Sequence, residues 1–150
     1  MSQQQEKQAA QHIALEIVSP DKTVLSTQVT QVILPGSAGD MTILADHFPV
    51  VSHLTTGIVE YKQDDESKYC FVGGGIVQVK NDTVSIIAPS AEKATEIDHD
   101  RAHAARQRAQ KKIEETTDQN HAKQAQAALE RAQIRIALAE LIKQLREESE

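Results

Sequence analysis

All six arginines of the chain lie in its last third, and five of them (Arg101, Arg106, Arg108, Arg131 and Arg135) fall between residues 97 and 135. Arg101 and Arg108, seven apart, project from one flank of any helix that carries them. Arg131 and Arg135, four apart, project together from a second. If two such helices fold back antiparallel around residue 118, Arg101 comes near Arg135, and Arg108 comes within about a turn of Arg131. Four guanidiniums facing one groove repel unless an anion sits between them. A polyphosphate suits such planar forks, each charge-assisted bond contributing roughly 1.5–3 kcal/mol. The same residues allow a second reading, solvated arginines paired with Glu92, Glu96, Asp98 and Glu130. Geometry from sequence leaves both open.

Other residues invite chemistry less strongly. His99 and His103 stand four apart on the first helix, a metal-binding spacing, but no third ligand stands nearby in the sequence; they read as surface histidines and no metal is expected. Asp46-His47 resembles an acid–base pair, yet no Ser or Cys nucleophile stands in an activated context, so an ordinary turn is expected. Gly73-Gly74-Gly75 lacks the spacing of either phosphate-loop motif and reads as a bulge or a close backbone approach. Cys70 is the single cysteine and sits in the strand-like run Tyr69-Cys70-Phe71-Val72, which makes it a small buried hydrophobe. It also excludes an internal disulfide framework.

The elements that must position the arginines divide the chain in two. No Gly or Pro occurs after Pro89, although all six Gly and four Pro precede or include it. The first part is turn-rich. Ile13, Leu15 and Ile17 alternate on one side of a strand, and further strands are expected at residues 23–25, 29–34, 41–44, 58–62, 68–72, 76–80 and 83–88, with a turn at Thr56-Gly57. Short strands with turn signals every eight to twelve residues indicate a β-sandwich or barrel. The second part is Ala-rich and helical. Asp98 is placed as an N-cap, and Ala102, Ala105, Ala109 and Ile113 form one narrow stripe. After a polar connector at residues 116–120, a longer helix carries Ala122, Ala125, Leu129, Ala132, Ile136 and Ala139 on one face. Ile134, Leu138, Leu141, Ile142 and Leu145 lie on the other. Such a helix is either wedged between its partner and the sandwich or exchanges partners between two conformations. The expected organisation is therefore α+β in two domains: a disordered N-terminal segment 1–11, an all-β sandwich or barrel 12–89, a linker 90–96 and an antiparallel two-helix hairpin 97–150. The net charge of −6, concentrated in the sandwich, argues against nucleic acid as a partner, and no apolar run spans a bilayer.

The run Ile33-Leu34-Pro35-Gly36-Ser37-Ala38-Gly39-Asp40-Met41-Thr42-Ile43-Leu44-Ala45-Asp46-His47-Phe48-Pro49-Val50-Val51 resembles the signature region of the epsilon subunits of F-type ATP synthases. Val72-Gly73-Gly74-Gly75-Ile76-Val77-Gln78-Val79 and Val84-Ser85-Ile86-Ile87-Ala88 resemble that family's later strands, and the likeness continues through the tail. Thr42 and Ala45-Asp46 depart from the family's usual residues. Ile97-Asp98-His99-Asp100-Arg101-Ala102 fits the Ile/Leu-Asp-x-x-Arg-Ala motif with which some bacterial members bind ATP. The resemblance implies nucleotide-binding roles for Glu92, Ile97, Asp98, Arg101, Ala102, Arg108, Arg131 and Arg135. Glu92 and Asp98 would lie toward the adenine or sugar, and the arginines toward phosphate. Ser37, Ala38 and Asp40 stand where the family touches the c-ring. The implied protein is a non-catalytic central-stalk subunit that needs no cofactor, with ATP as regulatory ligand. Its implied partners are the gamma subunit, the c-ring and, through an extended hairpin, the alpha and beta subunits. Its implied place is the cytoplasmic face of the bacterial inner membrane, as a peripheral protein. The alternative is a stand-alone nucleotide-sensing adaptor with the same scaffold.

Overall fold

A computed structural model of the chain describes residues 11–149. The disordered segment expected at residues 1–11 lies, apart from Gln11, outside the described residues. Eight strands precede two helices: β1 (Ile13–Val18), β2 (Thr23–Val29), β3 (Gln31–Gly36), β4 (Gly39–Ile43), β5 (Val50–Gln63), β6 (Glu66–Lys80), β7 (Thr83–Ile87), β8 (Ala91–Lys93), α1 (His99–Glu115) and α2 (Gln119–Glu148). The first alternating run behaves as its periodicity demands, with Ile13, Leu15 and Ile17 all at 1% exposure or less.

The sandwich is organised by the long β5–β6 hairpin, which turns at Asp64 and Asp65. Both have positive φ (53° and 61°), the conformation a two-residue turn needs to match strand twist. Near its middle this hairpin passes from one layer to the other. One end of it joins β7, β1 and β2; the other joins β3 and β4 on one side and β8 on the other. Between the layers lies an aliphatic core that includes Ile13, Leu34, Val59, Val77 and Ile86.

Three parts of the strand pattern differ from the sequence expectation, two of them for a steric reason at glycine. Thr56-Gly57 is not a turn: β5 runs straight through it. A Cβ on Gly57 would stand 2.8 Å from the Cβ of Pro35, so glycine is there to let strand β3 approach. Gly73-Gly74-Gly75 likewise lies inside continuous β6, and the pairing register with β5 is the same on both sides, so it is a close approach and not a bulge. A Cβ on Gly73 would collide with the Ser90 hydroxyl, and one on Gly75 with the Ile87 carbonyl. The expected linker 90–96 is structured. Ala91–Lys93 pairs antiparallel with β6 as β8, and Ala94–Glu96 forms a 3-10 turn whose Ala94 is buried.

Helix α1 begins at the expected cap, where the Asp98 carboxylate accepts from the Arg101 amide at 3.1 Å. Helix α2 begins two residues before His121, because Asp118 caps it by accepting from the Asn120 amide at 2.9 Å. The two faces of α2 are both used. Ala125, Leu129, Ala132 and Ile136 are buried along with Ala102 and Ala109 of α1, and the small residues let the two helices approach. On the other face Leu138, fully buried, joins Phe71 and Ala94, with Ile58, Tyr69, Ile97, Ile134, Leu141 and Ile142 around them. Burying one leucine of this kind contributes roughly 1.5–3 kcal/mol. In this conformation α2 is the wedge between α1 and the sandwich.

Candidate functional site

The cavity that gathers the charged residues lies where β8, the 3-10 turn, α1 and α2 meet. It measures about 270 Å³ and is lined by Glu92, Glu96, Asp98, Arg101, Ala102, Ala105, Arg108, Ala132 and Arg135. Each element contributes by a local rule. Strand β8 presents Glu92, the 3-10 turn presents Glu96, and the α1 cap brings Asp98 over the first helical turn. Arg101 and Arg108, two turns apart, line one wall, and Arg135 reaches in from the antiparallel α2. Ala102, Ala105 and Ala132 also line the cavity, small side chains that leave space between the two helices.

Six of the eight nucleotide-site residues expected from sequence therefore share one cavity: Glu92, Asp98, Arg101, Ala102, Arg108 and Arg135. The other two do not line it. Ile97 packs with Phe71 and Leu138 under the hairpin. The Arg131 side chain lies along β6, its Cδ 3.3 Å from where a Cβ on Gly73 would stand. The expected group of four arginines is thus three, and three carboxylates face them. Among the described residues, however, no arginine has a carboxylate within 4.0 Å, whereas His99 approaches Glu140 and His121 approaches Asp118. The arrangement expected for solvated arginines, direct pairing with Glu92, Glu96, Asp98 and Glu130, is not what forms.

Arg135 shows what the cavity does electrostatically. Its guanidinium sits 4.2 Å from the centroid of the Phe71 ring, a cation–π contact on the face of a fully buried aromatic. Burial lowers its pKa from the ordinary value, Glu92 opposes that shift, and Arg131 and Arg101 reinforce it. The positive charge on Arg135 is therefore incompletely compensated, the condition that favours an added anion. Nothing in the sequence marked Phe71 as its support.

The remaining candidates resolve as follows. The His47 ring nitrogen Nδ1 donates to the Phe48 carbonyl at 2.7 Å and the ring stacks on Phe48, while the Asp46 amide donates to the Asp82 carboxylate at 2.7 Å. That is a loop tied to a neighbouring turn. Cys70 is fully buried, and burial pushes its thiol up to about 12, so it carries no thiolate near neutrality. Ser37, Ala38 and Asp40 are exposed at and beside the turn joining β3 and β4. Around His99 and His103 the structure adds a residue that sequence did not supply, Glu140 of α2.

Comparison with known proteins decides the family. Residues 12–94 match the family model of the ATP synthase delta/epsilon chain beta-sandwich domain, and residues 95–140 match that of its long alpha-helix domain. The chain belongs to the family of ATP synthase epsilon chains. An ATP synthase epsilon chain from Syntrophobacter fumaroxidans is 44% identical over 131 residues, covering 87% of this chain and 98% of that one. One from Staphylococcus aureus is 40% identical over 128 residues, covering 85% and 96%. A chain in the cryo-EM structure of the Euglena gracilis mitochondrial ATP synthase (OSCP/F1/c-ring, rotational state 1) superposes with a TM-score of 0.71 at 26% identity. That match covers 87% of this chain and 81% of the other. The boundary between the two matched domains, at residue 94, falls inside the turn that follows β8, so the epsilon sandwich ends with the strand that carries Glu92.

Proposed function

We propose that this epsilon chain is a non-catalytic central-stalk subunit whose helical hairpin senses ATP and regulates ATP hydrolysis. The observation that carries the sensing role is the convergence of Arg101, Arg108 and Arg135 on one cavity that no arginine–carboxylate pair closes. At about 270 Å³ it lies just under the usual range for small-molecule pockets, about 300–1,000 Å³. It encloses part of a nucleotide and leaves the rest along the open groove. The phosphates meet the guanidiniums, and Glu92 and Asp98 face the sugar or adenine. Asp98 holds the helix cap with one oxygen and keeps the other for this contact.

Because the lining comes from β8, α1 and α2 together, ATP binds the folded hairpin and loses its site when the helices separate. Only such differential affinity shifts a conformational equilibrium. In the extended form α2 leaves the sandwich and reaches the alpha and beta subunits, hindering hydrolysis. The sandwich meets gamma with its apolar outer face. The pairing register puts Val51, Ile76 and Ile87 on the same outward side, and they are 68%, 46% and 67% exposed. Contiguous exposed apolar surface of that kind supports a protein interface. Ser37, Ala38 and Asp40 at the β3–β4 turn meet the polar loops of the c-ring. The subunit turns with the stalk, coupling proton flow to ATP synthesis, at the cytoplasmic face of the bacterial inner membrane.

The test uses fluorophores on Asn120 and the sandwich residue Asp21, with hairpin position read by energy transfer in the assembled complex. ATP is expected to raise the folded fraction of the parent and leave an Arg101→Gln, Arg135→Gln variant unmoved. An equal response in both removes the sensing role.

A further inference from the structure

The first turn of α1 and the distal half of α2 are joined by a second polar constellation, away from the arginine cavity. His99 and His103 lie four apart, with their Nε2 atoms 3.1 Å from each other and their rings at 66°. Glu140, on the facing helix, brings Oε1 to 3.8 Å from His99 Nε2. One ligand atom from each of the three residues lies within 4.8 Å of the others. Zinc bonds of about 2.0–2.2 Å to nitrogen and oxygen place tetrahedral ligand atoms roughly 3.3 Å apart. The two imidazoles already stand near that spacing. The carboxylate is on an exposed side chain, free to close the remaining gap by rotation.

We propose that His99, His103 and Glu140 form a site for a divalent transition metal of the zinc class that clamps α1 to α2. Two neutral imidazole nitrogens and one carboxylate oxygen select zinc and its neighbours over calcium or magnesium, which take oxygen ligands. Three protein ligands leave a fourth position for water at the exposed surface. His99 and His103 alone form a chelate within one helix. Glu140 makes the site bridge two helices, so bound metal stabilises the packed hairpin and is released when the helices part. This inference stands on its own geometry and does not depend on nucleotide binding at the arginines.

The probe is Zn²⁺ titrated calorimetrically into the full chain, with circular-dichroism melting in parallel. The parent is expected to take up one equivalent. His103→Asn and Glu140→Gln each weaken binding at least tenfold, and His121→Ala, at the His121–Asp118 contact at the start of α2, leaves it unchanged. Saturating Zn²⁺ raises the melting temperature of the parent and not of Glu140→Gln. All substituted side chains are at least partly exposed, so the variants fold. Equal Zn²⁺ affinity in parent and His103→Asn would overturn the site. Parent-like binding and melting in Glu140→Gln would overturn the clamp.

Discussion

Leu138→Ala tests whether α2 is held on the sandwich by the contact the structure shows. Leu138 is fully buried, and its partners are Phe71 and Ala94 on the sandwich side, with Ile97 at the entry to α1. Removing three buried carbons at such a site costs about 2–5 kcal/mol, because the lost transfer free energy adds to the residual cavity. About 3 kcal/mol is a reasonable value here. The far side of the cluster is Phe71, which is held by β5 and β8 and cannot follow the missing side chain. That figure corresponds to roughly a 150-fold shift toward undocked hairpin at 1.4 kcal/mol per decade. The assay is native-state amide exchange, which resolves openings of part of a molecule. Protection of α2 amides from Ile134 to Ile142 is expected to fall by about two decades, while Val59, Val77 and Ile86 in the sandwich core keep theirs. Ile134 and Ile142 sit on the sandwich-facing side, whereas Leu129 belongs to the α1 seam, so Leu129→Ala is the matched control. It loosens helix from helix and leaves the docked α2 protected. Equal loss of protection in the sandwich core and α2 of the Leu138 variant would refute the separable docking, since the two parts would then open as one.

Three further predictions follow from single positions. Gly75→Ala lowers stability by at least about 2 kcal/mol in urea titration, because φ is +127° and the new Cβ meets the Ile87 carbonyl; Gly39→Ala, at φ +125° in open space, costs less. Asp98→Asn keeps the α1 cap and parent stability to within a few tenths of a kcal/mol, whereas Asp98→Ala loses about 1 kcal/mol by thermal unfolding. Cys70 resists iodoacetamide at pH 8 in the folded chain and reacts when unfolded in guanidinium. With its thiol at about 12 folded against 9.0 unfolded, its stabilising contribution is complete below pH 9 and is lost as pH rises toward 12. The parent therefore loses about 1.4 kcal/mol relative to Cys70→Val between pH 8 and pH 10, measured by denaturant titration.

The two-part architecture was legible because its signals are local. Period-two alternation in Ile13, Leu15 and Ile17 and the end of Gly and Pro usage at Pro89 need no tertiary knowledge. Sequence misread Gly57 as a turn, and at Gly73 it left a bulge and a close approach both open. Gly57 and Gly73 carry no positive φ and are small because Pro35 and Ser90 press against them, a reason that exists only once β3 and β8 are in place. Strand β8 escaped notice because three residues cannot display a period, and its partner β6 is distant in sequence. The same distance hid parts of the site. Helical spacing correctly aligned Arg101 with Arg135 across an antiparallel hairpin. It could not reveal that Arg131 leans along β6, that Phe71 backs Arg135, or that Glu140 stands beside His99. The carboxylates of Glu92 and Glu96 enter the cavity because β8 and its 3-10 turn fold, where a flexible linker was expected.

The most direct test of the arginine cavity as a nucleotide site is a calorimetric titration of the isolated chain with ATP, beside an Arg101→Ala, Arg135→Ala variant of matched helicity. Saturable heat at one equivalent in the parent, reduced at least a hundredfold in affinity in the variant, is the predicted result. Binding of equal strength in both, or none in the parent, would contradict it.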